Sequence, residues 1–349
     1  MKIIFYFRKL IRLQLLKYSK WYLNRWGIAS IKKSYLYPWQ ISPNYEGSYN
    51  KKSIIPKIVG NHFNQSNPRL KYLRKKYLDF QSSIPEQGLW TKNHIGKINL
   101  TYFRGDNPYI FQNRGNEYSI LTYALTYFWI KSKDDNNYFS KCKEDQSFGV
   151  FTHNFGKDIV SRDLLDSFIE MEFLKQNVFN QSNDKISILD IGAGYGRLAY
   201  RAITYLEKIE KYYCTDAIAE STFLSESYID YHNIKNKVSV IPFHKSKEEI
   251  DSLKLDLVVN IHSFSEMNIQ FIEYWLDIIS KNKIRFLFIV PNAKSNFGKK
   301  LESIDGINYK PEIEIRGYKE IAMQPKYDEN IVQNYGLNPT HYFLFEYIN

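Results

Sequence analysis

Asp190, Gly192, Gly194 and Gly196 stand within the stretch SILDIGAGYG (187–196), and Asp216 closes the run YYCTDA (212–217) twenty-four residues after Gly192. Glycine at every second position, directly after an apolar run, exposes bare backbone to a ligand that a Cβ would hold away. A dinucleotide site would read G-x-G-x-x-G and rest a pyrophosphate on the next helix N-terminus. In this chain the third glycine comes one position early and Arg197 takes its place. Asp190 would also repel a pyrophosphate, whereas it suits a ligand carrying an amino group. Asp216, at the end of the next apolar run, suits the two hydroxyls of a ribose. S-adenosyl-L-methionine combines ammonium, sulfonium and ribose without phosphate and meets every one of these demands. Cofactor contacts are therefore expected from Asp190, Gly192, Ala193, Gly194, Tyr195, Gly196, Asp216, Ala217 and Asn260.

Methyl transfer from a sulfonium to oxygen is an in-line displacement, so the protein must align the acceptor and remove its proton as the bond forms. The segment following LDLVVN offers Asn260, His262, Ser263 and Glu266 for that work. Histidine, with an ordinary pKa of about 6.5, is largely neutral at physiological pH and makes His262 the first candidate for general base. Glu266 either orients it or takes the role. A rival base is His153 in FGVFTHNFGKD, with Asn154 and Arg162 on the acceptor. The segments NIHSFSE and VPNAKSN supply one Glu and no Asp, a poor oxygen cage for Mg²⁺, so no metal is expected.

The elements that must hold these residues are readable from periodicity. SRDLLDSFIEMEFLKQNVF has a helical pattern with Ser161 as N-cap and Leu164, Leu165, Phe168, Ile169 and Phe173 on one broad face. SILTYALTYFWIK reads as a buried helix. Beyond residue 182, short β-rich runs (ISILDI, KYYCTD, KVSVIPF, LDLVVN, IRFLFIV) alternate with amphipathic stretches, which predicts an α/β fold whose mostly parallel sheet is joined by crossover helices. YKEIAMQPKYD and HYFLFEYI finish the sheet, the last as an antiparallel insertion. Three regions follow: a basic amphipathic segment 1–45, a mixed, largely helical acceptor-side cap 46–160, and a cofactor-binding catalytic domain 161–349.

Charge narrows the partners. The chain of 349 residues carries a net charge of +11, yet nine Lys or Arg and no acid fall in residues 1–45, so the remainder is close to neutral at about +2. That distribution argues against a nucleic-acid substrate. Residues 1–28 form a basic amphipathic stretch that either lies on anionic lipid, with Trp21 and Trp26 at the headgroups, or packs on the rest of the protein. Neither a membrane span nor a cleavable signal is read there. Cys142 and Cys214, the only cysteines, match no disulfide framework or zinc site and point to a reducing, cytoplasmic compartment.

ILDIGAGYGRLAYR resembles the first motif of class I S-adenosylmethionine-dependent methyltransferases. VVNIHSFSEM, with EDQSFGVFTHNFGKDIVSRDLLDSFIEMEFL ahead of the glycine loop, resembles a family of sugar O-methyltransferases over about residues 90–349. The resemblance implies a Rossmann-like seven-stranded sheet with helices on both faces. It also implies a sugar hydroxyl acceptor in bacterial surface glycan assembly. It places Asp190, Gly192, Gly194 and Gly196 at the amino acid end of the cofactor, Asp216 at its ribose and Tyr195 against it. Many relatives carry an acid after the third strand; VIPFH has none, so Ile241 or Phe243 is expected to hold adenine by apolar contact. Methylation of another small molecule or a protein, and a membrane-docked scaffold without turnover, are the competing readings.

Overall fold

The computed structural model describes residues 49–57, 62–85, 87–88, 99–105, 120–293 and 297–348. The basic segment lies outside the described residues. In chain order the helices and strands are α1 (Pro68–Gln81), α2 (Ile120–Lys131), α3 (Tyr138–Lys141), β1 (His153–Phe155), β2 (Asp158–Val160), α4 (Arg162–Asn177), β3 (Ile186–Ile191), α5 (Arg197–Tyr205), β4 (Ile209–Asp216) and α6 (Ala219–Tyr231). They continue with β5 (Val238–Pro242), α7 (Ser246–Asp251), β6 (Leu257–Ile261), α8 (Ile269–Lys281), β7 (Phe286–Val290), α9 (Lys310–Glu314), β8 (Tyr318–Pro325), α10 (Asn330–Tyr335) and β9 (His341–Tyr347).

Seven strands form one sheet in the order β5-β4-β3-β6-β7-β9-β8. All neighbours from β5 to β7 are parallel, and β9 runs antiparallel to both β7 and β8. The expected Rossmann-like α/β architecture is present, and the last strand is the antiparallel insertion. Alternation along the strands sends side chains to opposite faces. Leu189, Val258, Leu287 and Phe345 join one core with residues of α1, α6 and α8, whereas Ile188, Val259, Phe288 and Leu344 join another with α2, α4 and α5. Strands buried on both sides explain why FLFIV reads as an unbroken apolar run.

Both expected helices form. Ser161 caps α4, its Oγ accepting from the backbone N–H of Leu164 at 3.0 Å. Seven of the twelve residues of α2 are buried. The described cap residues share the sheet's core: Phe63, Leu70, Leu73, Tyr77, Leu100 and Phe103 belong to the same apolar cluster as β3, β6 and β7. Arg104, fully buried, ties this region down by pairing with Glu144 at 2.7 Å and with Asp145. Arg201 of α5 reaches the same Glu144 at 3.2 Å. A buried guanidinium met by two carboxylates and a buried carboxylate met by two guanidiniums satisfy one another, where a lone charge would be costly.

Candidate functional site

In an open sheet of this kind ligands bind beyond the carboxyl ends of the strands, where the connections turn away to either face. A cavity opens there, between the ends of β3, β4 and β6 and the start of α4. Its walls include Asp190, Gly192, Ala193, Gly194, Tyr195, Arg197, Asp216, Ala217, His262, Ser263 and Glu266.

The glycine loop has two separate reasons for its composition. Gly192 has φ +77°, and a Cβ on it would stand 2.3 Å from Ser263 Oγ, so the loop after β6 packs directly on its backbone. Gly194 has φ +59° and, among the described residues, nothing within 4 Å of where a Cβ would stand, so its bare side is left uncovered by them. Non-glycine residues in this left-handed region are strained by roughly 1–2 kcal/mol. Gly192→Ala adds a collision to that strain and is expected to lower the melting temperature clearly more than Gly194→Ala, as thermal unfolding of the two variants would measure.

Two buried carboxyls flank the loop. Asp190 accepts from the Tyr212 hydroxyl at 2.8 Å, and Asp216 accepts from the backbone N–H of Gly194 at 3.0 Å and of Ile218 at 2.9 Å. Burial pushes both up to about 7; neighbouring carboxylates add to it, Glu170 and Asp216 for Asp190 and Glu220 for Asp216. Arg197, the residue that breaks the dinucleotide pattern, is engaged elsewhere, forming a two-pronged pair with Glu170 at 2.8 and 2.9 Å. Tyr195 donates to Asp163, and its ring packs against Phe103 and Tyr228.

His262 follows β6 with φ +68°. Its backbone N–H donates to Val290 O at 2.6 Å, its Nε2 accepts from the Asn338 Nδ2 amide at 3.0 Å, and its buried Nδ1 has no hydrogen-bond partner among the described residues. Burial, with Arg162, Lys326 and Arg197 nearby, pushes its pKa down to about 3 despite the opposing Asp166. Glu266, also on the wall, accepts from the Asn292 amide at 3.3 Å.

Other expected residues fall elsewhere. Asn260 is fully buried and uses its amide internally, donating to Ile191 O and accepting from Phe264 N, both at 2.9 Å. It thus shapes the loop and does not line the cavity. His153 lies against Tyr123, with ring centroids 4.3 Å apart and planes tilted by 53°, and is likewise absent from the walls. Ile241 and Phe243 sit in the core, Phe243 against Tyr77, Phe271 and Trp275; the apolar wall is made instead by Ile218, Leu224, Met267 and Phe271. Neither Ile241 nor Phe243 reaches the cavity because α1 and α8 cover the end of β5.

A polar wall, of which only Arg162 was expected from the motifs, closes another side of the cavity. Arg162, Asp163 and Asp166 line the cavity from the first turns of α4, and Gln87 joins them from the cap. Arg162 pairs with Asp166 at 3.1 Å, and the buried Lys326 contacts Asp166 as well. A signal for it exists in the sequence: Arg162, Asp166 and Glu170 recur at i, i+4 and i+8 along a helix whose other residues are mostly apolar.

Likeness to known proteins is confined to shape. No protein-family model matches the sequence, and no curated protein matches it. Among solved structures, the chain is similar to magnesium protoporphyrin IX methyltransferase from Synechocystis PCC 6803 with bound SAM (11% identity, 54% of this chain, 83% of that one, TM-score 0.38). It is also similar to a SAM-dependent methyltransferase from Aquifex aeolicus (16% identity, 52% and 98% of the two chains, TM-score 0.36) and to the [4+2]-cyclase SpnF (10% identity, 56% and 84%, TM-score 0.38).

Proposed function

We propose that this chain is an S-adenosyl-L-methionine-dependent O-methyltransferase acting on a sugar hydroxyl, in a cytoplasmic step of bacterial surface glycan assembly. The observation that carries the cofactor reading is the pairing of Asp190 and Asp216. Both are buried carboxyls raised to about 7 on either side of the open backbone at Gly194, and a ligand bringing an ammonium and ribose hydroxyls would relieve both. Ile218, Leu224, Met267 and Phe271 supply apolar surface for a base. Bound in this cradle, S-adenosylmethionine supplies a methyl group activated by its sulfonium.

The acceptor reading rests on the polar wall. Arg162, Asp163, Asp166, Glu266 and Gln87 offer charged and amide groups of the kind that hydrogen-bond a ring of hydroxyls. His262 is kept neutral by its surroundings and is available to accept a proton across the physiological range. A hydroxyl oxygen that has begun to bond a methyl carbon is far more acidic than an imidazolium, so even this weakly basic ring takes its proton downhill.

Raised carboxyl pKa values give binding a pH signature. A ligand that favours the ionised forms must displace the protons held below about pH 7, so affinity is expected to fall as pH drops through 7. Calorimetry near pH 7 in buffers of different ionisation heat should register net proton release. The acceptor is tested by incubating the protein with methyl-labelled S-adenosylmethionine and glycans from cells lacking it, followed by mass spectrometry. One added methyl per acceptor unit supports the proposal, and label found only on protein or nucleic acid contradicts it.

A further inference from the structure

Gln87 comes to the cavity wall from the cap and is only 8% exposed. Its place is fixed by its neighbour. Gly88 has φ +98°, and a Cβ on it would stand 2.8 Å from Glu266 O, 2.9 Å from Asn268 N and 3.1 Å from Met267 Cα, so the cap chain lies directly on the backbone that follows β6. On its other side, Gln87 Oε1 accepts from Nε2 of Gln81, the last residue of α1, at 3.5 Å. Gln87 is thereby held between Met267 and the end of α1, and it shares the cavity with the apolar wall of Ile218, Leu224, Met267 and Phe271. Its Nε2 is buried with no hydrogen-bond partner among the described residues. A buried amide nitrogen left unpaired is costly, and a ligand that accepts from it removes that cost.

We propose that Gln87 reads the base of the cofactor, its Nε2 donating to a ring nitrogen of an adenine whose faces are covered by that apolar wall. This rests on the S-adenosylmethionine reading of the cradle. Asp216 holds the ribose in that reading, and the wall residues Ile218 and Leu224 follow it in the chain, at the start of α6 and within it, so the base attached to the ribose is directed along the apolar wall toward Gln87. The chemistry matches. A purine is apolar on its flat faces, and its ring nitrogens accept hydrogen bonds at its rim. A sugar ring carries hydroxyls around its edge and would leave some of them unpaired against Met267 and Phe271. VIPFH (240–244) brings no acid to the end of β5, and Ser221, also on the wall, donates to Asp216. Gln87 is thus assigned to the base, and Arg162, Asp163, Asp166 and Glu266 remain for the acceptor.

The probes are S-adenosylhomocysteine and its 1-deaza, 3-deaza and 7-deaza analogues, each lacking one ring nitrogen, titrated by calorimetry into the full chain and into Gln87→Leu. The wild type is expected to bind one analogue about tenfold or more weaker than S-adenosylhomocysteine, because a C–H in place of the accepting nitrogen leaves the buried donor unpaired again. Gln87→Leu has no donor to leave unpaired. It should bind S-adenosylhomocysteine a few-fold weaker than the wild type does, and that same analogue within about twofold of S-adenosylhomocysteine. Without ligand it should melt no lower than the wild type, since the substitution removes an unpaired buried amide. Wild-type protein that binds all three analogues as tightly as the parent, a Gln87→Leu protein that still discriminates, or a ligand-free variant that melts clearly lower would overturn the assignment of Gln87 and leave the cofactor reading standing. Wild-type protein that takes up none of the four ligands would overturn the cofactor reading, and the assignment with it.

Discussion

Replacing Asp216 by asparagine should weaken S-adenosylmethionine binding by roughly ten- to a hundredfold, the scale of losing one or two hydrogen bonds to a charged group. The choice of asparagine matters because Asp216 also holds the N–H groups of Gly194 and Ile218. The amide of Asp216→Asn retains an acceptor for one of them, whereas alanine would release both and loosen the loop. Stability separates the two effects. A carboxyl whose folded pKa is raised to about 7 contributes stability that is present below its unfolded pKa and is lost as pH rises through 7. At pH 8 the ligand-free Asp216→Asn protein should therefore melt no lower than the wild type, while calorimetry records the lost affinity. An asparagine variant that binds as tightly as the wild type would remove Asp216 from the cofactor site.

His262→Ala should behave in the opposite way. Cofactor affinity stays within about twofold, and turnover falls by on the order of a hundred- to ten-thousandfold, the usual contribution of a positioned proton acceptor. Binding is spared because the groups assigned to the cofactor, Asp190, Asp216 and the backbone at Gly194, make no hydrogen bond to His262. The left-handed backbone at His262 (φ +68°) is a conformation that alanine also tolerates poorly, so His262→Gly serves as the companion variant. If both keep full turnover with the glycan acceptor, the proton goes elsewhere, and Glu266 on the same wall is the next residue to replace.

Local chemistry made much of the fold legible. Gly192 and Gly194 announce a turn because only glycine fits their backbone, and Ser161 announces a helix start because its hydroxyl satisfies the orphan N–H of Leu164. The β-rich runs are recognisable because both faces of the sheet are covered. What escaped depends on tertiary meetings between distant segments. His262 and Asn338 carry no mutual signal in sequence, nor do Lys326 and Asp166. Asn260 stands beside the catalytic candidate, yet its amide is consumed by Ile191 and Phe264, a fate that spacing alone does not reveal. Ile241 and Phe243 are apolar at the right strand end, but the cap helix α1 closes over them, with the Tyr77 hydroxyl accepting from the Phe243 N–H at 2.7 Å.

The most direct test is isothermal calorimetry of the full chain with S-adenosylmethionine, run against NAD as a pyrophosphate-bearing control. One saturable site for S-adenosylmethionine, weakening below pH 7 and releasing protons, with no heat from NAD, is the expected result. Folded protein that takes up no S-adenosylmethionine, or that prefers NAD, would contradict the reading of Asp190, Gly194 and Asp216 as a cradle for a cationic adenosyl donor.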